Sequence, residues 1–276
     1  MRARIAIGAA ALAAAVTAHG ASAGRIDTAF RSRALQTTLH FIIKLPDGYD
    51  RTTTRYPVVY FLHGLPAGPT AYRSVTWVEA ALDRTGKPAI LVVPQGTKTQ
   101  NGDPEYHDWG PGRNWATALA DELPAFVDAH YRTIASRTGR AIIGVSAGGY
   151  GAASLGLTHP GRFSAVESWS GYFAPTDPAG DNVLDLGTSA ENNAASVHAR
   201  AARLRDQFTR HPTFFGFYVG RSDKFLDENV RLNQELDAAG VPHRYKVYPG
   251  RHDVALWGSK AQAWLRLALN RLSAPR

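Results

Sequence analysis

The chain has 276 residues, carries 31 Lys and Arg against 23 Asp and Glu for a formal net charge of +8, and contains no cysteine. Disulfides and thiolate metal sites are therefore excluded, and so is a nucleic-acid partner, because the basic residues are scattered singly rather than gathered in a stripe or module. The length suits one large α/β domain that buries its own core.

The first 23 residues read as an export signal. Arg2 and Arg4 give a positive start, Ile5 to Val16 a short apolar core, and Ala21-Ser22-Ala23 a small-residue cleavage pattern. A membrane-crossing helix needs about 20 apolar residues, and this run is too short. The expectation is cleavage near Ala23, a secreted protein without a transmembrane segment, and a single folded domain over residues 24–276. Oligomeric state is not legible.

From there the chain alternates. "TLHFIIKL" (38–45) predicts an early strand. "PVVYFLHG" (57–64) and "AILVVPQG" (89–96) are continuous apolar runs ending in glycine, the pattern of strands buried on both faces. Between them "VTWVEAALDRTG" has helical spacing. Residues 114–131 predict a longer helix, kinked or broken at Pro124. Then follow strand "AIIGV", helix "AGGYGAASLGLTH", strand "FSAVESWS", a helix over 195–209, strand "FFGFYVG", helix "ENVRLNQELDAAG", strand "RYKVYPG" and a closing helix over 254–272. This order predicts an α/β fold with a mostly parallel central sheet and helices on both faces. Two connections, 95–113 and 171–194, exceed ordinary βα loops and are expected to wall a pocket beyond the strand ends.

One stretch carries the chemistry. "GVSAGG" (144–149) sets Ser146 in Gly-x-Ser-x-Gly between a strand and a helix, the nucleophile elbow of α/β-hydrolases. A side chain at Gly144 or Gly148 would collide with neighbouring backbone there. A hydroxyl needs a base, and the fold's chain order is Ser, then Asp or Glu, then His. Of His211, His243 and His252, only His252 follows a strand's carboxyl end, in "YPGRHDVALW". For the acid, Asp223 in "GRSDKF" lies just past a strand, whereas Asp227 reads as a helix N-terminal charge. The backbone N–H groups of Leu65 and Ala147 are the expected oxyanion donors, with His63 as scaffolding of the "FLHGLPAG" loop rather than as a base.

With those motifs in hand, the sequence resembles the esterase D-like family of α/β-hydrolases, over roughly residues 36–268. "LPDGYD", "YPVVYFLHG", "GVSAGGYGA", "HPGRFSAVESWSG", "GRSDKF" and "YPGRHDVALW" stand in the family's order, and "HDWGPGRNWATALADELPAFVDAHY" is similar to its secreted mycolyltransferase branch. The resemblance implies an α/β-hydrolase fold and a triad of Ser146, Asp223 and His252. It implies a secreted serine esterase acting through an acyl-enzyme on a small-molecule or carbohydrate-linked ester. The alternative is an acyltransferase passing the acyl group to a sugar or alcohol, and behind it a non-catalytic wall-binding relative. Residues 171–200 match no substrate-specific pattern. No cofactor is expected, and "DPEYHD" (103–108) has no metal-ligand spacing. Trp109 and Trp257 are candidates for an aromatic substrate wall, against plain core packing.

Overall fold

The computed structural model describes residues 24–276; the expected leader lies outside the described residues. Eight strands form one sheet: β1 (Arg25–Ser32), β2 (Thr37–Lys44), β3 (Val58–Leu62), β4 (Ile90–Pro94), β5 (Arg140–Val145), β6 (Ala165–Trp169), β7 (Phe214–Gly220) and β8 (Arg244–Tyr248). Their spatial order is β1-β2-β4-β3-β5-β6-β7-β8. β1 and β2 are antiparallel to their neighbours, and all later pairings are parallel. The expected mostly parallel sheet is therefore present. β1 was not predicted; its residues are only half-buried, with Arg25, Asp27 and Arg31 exposed, so it lacks the apolar run that marks the inner strands.

The helices are α1 (Thr76–Arg84), α2 (Trp115–Thr117), α3 (Leu123–His130), α4 (Ala147–Thr158), α5 (Ser189–Ala195), α6 (Ala201–Arg210), α7 (Leu226–Ala238) and α8 (Val254–Leu269). Alternation along the strands divides the core into two layers. Val59 and Phe61 of β3 and Ile143 of β5 pack with Val78 of α1 and Trp264 and Leu265 of α8. Val58, Tyr60 and Leu62, with Ile142, pack on the other face with Val127 of α3, Ala152 of α4, Leu204 of α6 and Leu232 of α7. Helices thus cover both faces. Both outer strands carry charge at their exposed positions, Arg244 and Lys246 on β8 matching the charged side chains of β1.

Two helical expectations change. Between α2 and α3 the chain widens into a π-helical turn, Ala118–Glu122, and Pro124 falls in the first turn of α3, where a missing N–H costs little. The helix expected over 195–209 begins later, as α6, and a further helix, α5, lies in the connection expected as a loop. Thr188 and Glu191 form a reciprocal capping box that starts α5 early, and extended Ser196 ends it before α6 begins.

β3 is flanked by β4 and β5, so the connections leaving β3 and β5 diverge to opposite sides. A crevice opens outside the carboxyl ends of the strands at such a reversal. The close packing there rests on Gly148, where an added Cβ would press into the Leu62 carbonyl. Gly148→Ala should therefore destabilise the fold by about 3 kcal/mol or more. Gly258 lies in α8 with nothing within 4 Å of an added Cβ. Gly258→Ala should stabilise by about 0.5–1 kcal/mol. Chemical denaturation of both variants checks the opposite signs.

Candidate active site

β5 ends at Val145 and α4 begins at Ala147, leaving one residue to reverse the chain. That residue is Ser146, with φ 57° and ψ −124°, a conformation that a side chain other than glycine rarely adopts. The backbone is held there on both sides. Ser146 N–H donates to Trp169 O at 2.9 Å, and an added Cβ at Gly144 would collide with the Gly148 carbonyl. The outcome is a buried serine whose hydroxyl stands clear of the sheet at the start of a twelve-residue helix. The partial positive charge of that helix end favours an anion.

His252 follows β8, and its Nε2 lies 2.9 Å from Ser146 Oγ. Its Nδ1 lies 2.9 and 3.0 Å from the two oxygens of Asp223, whose side chain is fully buried. A carboxylate only accepts, so Nδ1 carries the proton and Nε2 presents its lone pair to the serine. Asp223 Oδ1 also accepts the Phe225 N–H at 3.0 Å, which fixes the carboxylate's rotation. The loops that carry these two residues are tied together. Arg221 N–H donates to Tyr248 O at 2.7 Å and Ser222 N–H to Gly250 O at 2.9 Å. Asp227 is exposed in the first turn of α7, and Asp253 caps α8 by accepting the Leu256 N–H at 2.9 Å. Neither meets His252.

The loop after β3 runs beside the serine; a Cβ at Gly64 would sit 3.1 Å from Ser146 Cβ. Leu65 and Ala147 share a small apolar cluster with Tyr150, Tyr172 and Phe225. The two residues expected to supply the oxyanion amides thus belong to one cluster beside Ser146. His63 is buried, and its Nδ1 donates to Gly64 O at 2.9 Å. Burial lowers its pKa, so it stays a neutral brace of this loop.

The two candidate tryptophans separate. The Trp257 ring stands edge-on to His252, centroids 5.1 Å apart, and reaches the site. Trp109 packs against the main core with its ring 6.0 Å from His107, which in turn meets Tyr150. The acidic stretch 103–108 is dispersed among partners. Asp103 pairs with Arg113, Glu105 accepts from Tyr172, and Asp108 accepts from Thr117. His107 Nε2 meets the Tyr150 hydroxyl at 2.8 Å, and burial lowers its pKa to about 4. Because the Tyr150 proton goes to Ala195 O, the neutral imidazole is the donor in that contact.

Sequence reasoning missed two features. Tyr150, Tyr172 and Phe225 form a buried aromatic wall beside Ser146; they come from three separate segments, and no local pattern joins them. His198 was passed over, although its ring is bracketed by Glu235 at 2.6 Å and Glu228 at 2.9 Å, which fastens the segment after β6 to α7.

A family model described as Esterase, "Putative esterase", matches residues 32–266. The chain belongs to the Esterase family. Membership agrees with the resemblance read from the motifs. It is 35% identical over 241 residues to the esterase Rv1288 of Mycobacterium tuberculosis, covering 76% of this chain and 51% of that protein. It is 33% identical over 131 residues to the MPT51/MPB51 antigen of the same organism, covering 47% of this chain and 42% of the antigen. The chain spans about half the length of the curated relatives it matches. Among solved structures, a ferulic acid esterase superposes with a TM-score of 0.75 at 23% identity, covering 91% of this chain and all of that one. At that identity the superposition speaks for the fold alone, an α/β-hydrolase fold.

If Asp223 orients His252, Asp223→Asn should lower kcat about a hundredfold or more by presenting the wrong tautomer. Asp227→Asn removes only an exposed charge near a helix end, worth about 0.3–1 kcal/mol of stability, and should leave kcat nearly unchanged. Steady-state kinetics on both variants at matched folded fraction decides between the two carboxylates.

Proposed function

We propose that the chain is a secreted serine carboxylic-ester hydrolase in which Ser146, His252 and Asp223 form the catalytic triad. The observation that carries this reading is the unbroken hydrogen-bond relay from Asp223 through His252 to Ser146, set at a strand-to-helix turn. In the proposed cycle His252 Nε2 takes the Ser146 proton as Oγ attacks the ester carbonyl. Negative charge develops on the carbonyl oxygen and is met by the Leu65 and Ala147 amides. His252 then returns the proton to the leaving alcohol, and an acyl-serine remains. Water, deprotonated by the same imidazole, attacks the acyl carbon, and the imidazolium returns that proton to Ser146 Oγ as the acid leaves. Asp223 holds the tautomer and stabilises the imidazolium throughout. Every group in this cycle belongs to the chain, so the proposal needs no cofactor.

Export rests on the leader pattern, which ends just before β1 begins at Arg25. Among the described residues no helix is long and apolar enough to cross a membrane, which is compatible with that route. The substrate class is a small-molecule or carbohydrate-linked ester. Acyl transfer is the second reading, and the observation that favours it is Trp257. Its half-buried ring beside His252 offers a flat apolar face on which a sugar or aryl acceptor can stack. Transfer and hydrolysis share every step up to the acyl-enzyme. A non-catalytic wall-binding role is disfavoured by a relay with all three members in contact.

A fluorophosphonate probe should label the protein at Ser146, and Ser146→Ala should lose both the label and the hydrolysis of short aryl esters. Labelling that persists in that variant sinks the assignment. Product analysis with and without added sugars divides the readings: free acid alone supports hydrolysis, and an acylated sugar supports transfer. EDTA should leave the rate intact, since the donors of residues 103–108 are engaged with separate partners; a loss restored by a divalent ion would count against the proposed cycle.

A further inference from the structure

The strap that leaves β4 carries a carboxyl with no evident reason to be charged. Asn101, Asp103, Glu105 and Tyr106 all adopt positive φ, between 51° and 70°, an unusual run for residues with side chains. Among the contacts that hold it are Asp103 with Arg113, the Tyr106 hydroxyl on His63 O, and Glu105 with Tyr172. Glu105 is 1% exposed. Its Oε1 accepts the Tyr172 hydroxyl at 2.7 Å, and its Oε2 is buried with no hydrogen-bond partner. Its surroundings are Tyr150 from α4, Tyr172, Thr176 and Asp177 from the segment after β6, and neighbouring Tyr106. Those groups are neutral or negative, and among the described residues no Lys or Arg pairs with Glu105.

Tyr172 leads from this carboxyl to the catalytic centre. Its ring stacks on Tyr150 at 5.5 Å and 11°, and leans on Phe225 at 4.7 Å. Phe225 stands edge-on to His252 at 5.1 Å, and its backbone N–H is the one that steadies Asp223. A shift of Tyr172 is therefore felt by two members of the relay through a single ring.

We propose that Glu105 is a positioning residue of the active site: as a neutral carboxylic acid it holds Tyr172 in the aromatic wall beside Ser146 and behind His252. Nothing local to the sequence announces this, because the partners lie on separate loops. Burial pushes the Glu105 pKa up to about 8, more than the Tyr172 hydroxyl and Thr176 amide pull it down, and Asp177 adds to the push. Above that pH a carboxylate would sit among apolar rings with Oε2 bare, and hydrating it requires water to part the strap from the stack. The sign follows. The folded pKa is raised, so the stabilisation is complete at acid pH and is lost as pH climbs from the ordinary carboxylate range through about 8. Activity should fall over the upper part of that window.

The proposal rests on the hydrolase reading above, and its test keeps the two apart. The measurement is kcat/KM for an activated aryl ester across neutral and alkaline pH, alongside melting temperatures over the same range without substrate. Wild type should show an alkaline fall with a midpoint near 8. E105Q still accepts from Tyr172 and cannot ionise; it should retain most neutral-pH activity and lose the alkaline fall. Its melting temperature should also gain on wild type as pH rises. E105A removes the acceptor and should lose about tenfold or more in kcat/KM at every pH. Y172F removes the hydroxyl donor and should move the fall to higher pH. An alkaline fall unchanged in E105Q, with parallel melting curves for E105Q and wild type, overturns the proposal, and so does an E105A enzyme of full activity. If E105A does not fold, E105Q and Y172F still decide. If wild type proves to have no esterase activity, the hydrolase reading fails and the melting comparison alone reports on Glu105.

Discussion

The contact between Gly148 and the Leu62 carbonyl sets the terms for everything at the carboxyl end of the sheet. It brings the first turn of α4 against the last residue of β3, closer than any side chain would allow. Two strands and a helix end are thereby packed into one knot, and the residues that leave it have little freedom. Ser146 keeps a backbone conformation that costs energy because its neighbours on both sides cannot move. The loop from Gly64 to Leu65 lies beside it for the same reason. In the proposed reaction, a nucleophile and amide donors held this way would need no reorganisation when charge appears, and such preorganisation is usually the largest part of an enzyme's advantage over water.

The other half of the site arrives from β7 and β8, whose loops are tied to each other before they reach the serine. Asp223 is steadied by the Phe225 amide, His252 by Asp223, and Ser146 by His252, so order passes along the relay from a buried carboxylate to a partly open imidazole. The segment after β6 closes over this arrangement and is fastened at several places, among them Glu105 against Tyr172 and His198 between Glu228 and Glu235. The relay is built at strand ends, and the wall is shared between α4 and the loops that carry Tyr172 and Phe225.

The sheet and the relay were legible in the sequence because their signals are local. Continuous apolar runs such as "PVVYFLHG" and "FFGFYVG" can only be buried strands, and the glycines around Ser146 describe their own turn. His252 and Asp223 were found by position relative to strand ends. β1 escaped notice because an edge strand needs no apolar run, and its charges hide the alternation. The helix expected over 195–209 starts late, at Ala201, and α5 was missed because its start rests on the Thr188–Glu191 capping box inside a stretch that reads as a loop. The aromatic wall and the buried Glu105 were out of reach for a different reason. Their environment is made by chain segments about 45 to 120 residues apart, so a carboxyl in "DPEYHD" looks solvated until the fold removes its water.

The charged outer strands bear on what happens when many copies meet. An open sheet has two bare edges, each a template on which another chain could be added. Here β8 offers Arg244 and Lys246 at its exposed positions, and β1 offers Arg25 and Arg31. Two β8 edges brought side by side would set cation against cation. Runaway stacking of sheets is opposed electrostatically. Because that opposition is screened by ions, crowding in strong salt is the condition under which these molecules should be least well protected from one another.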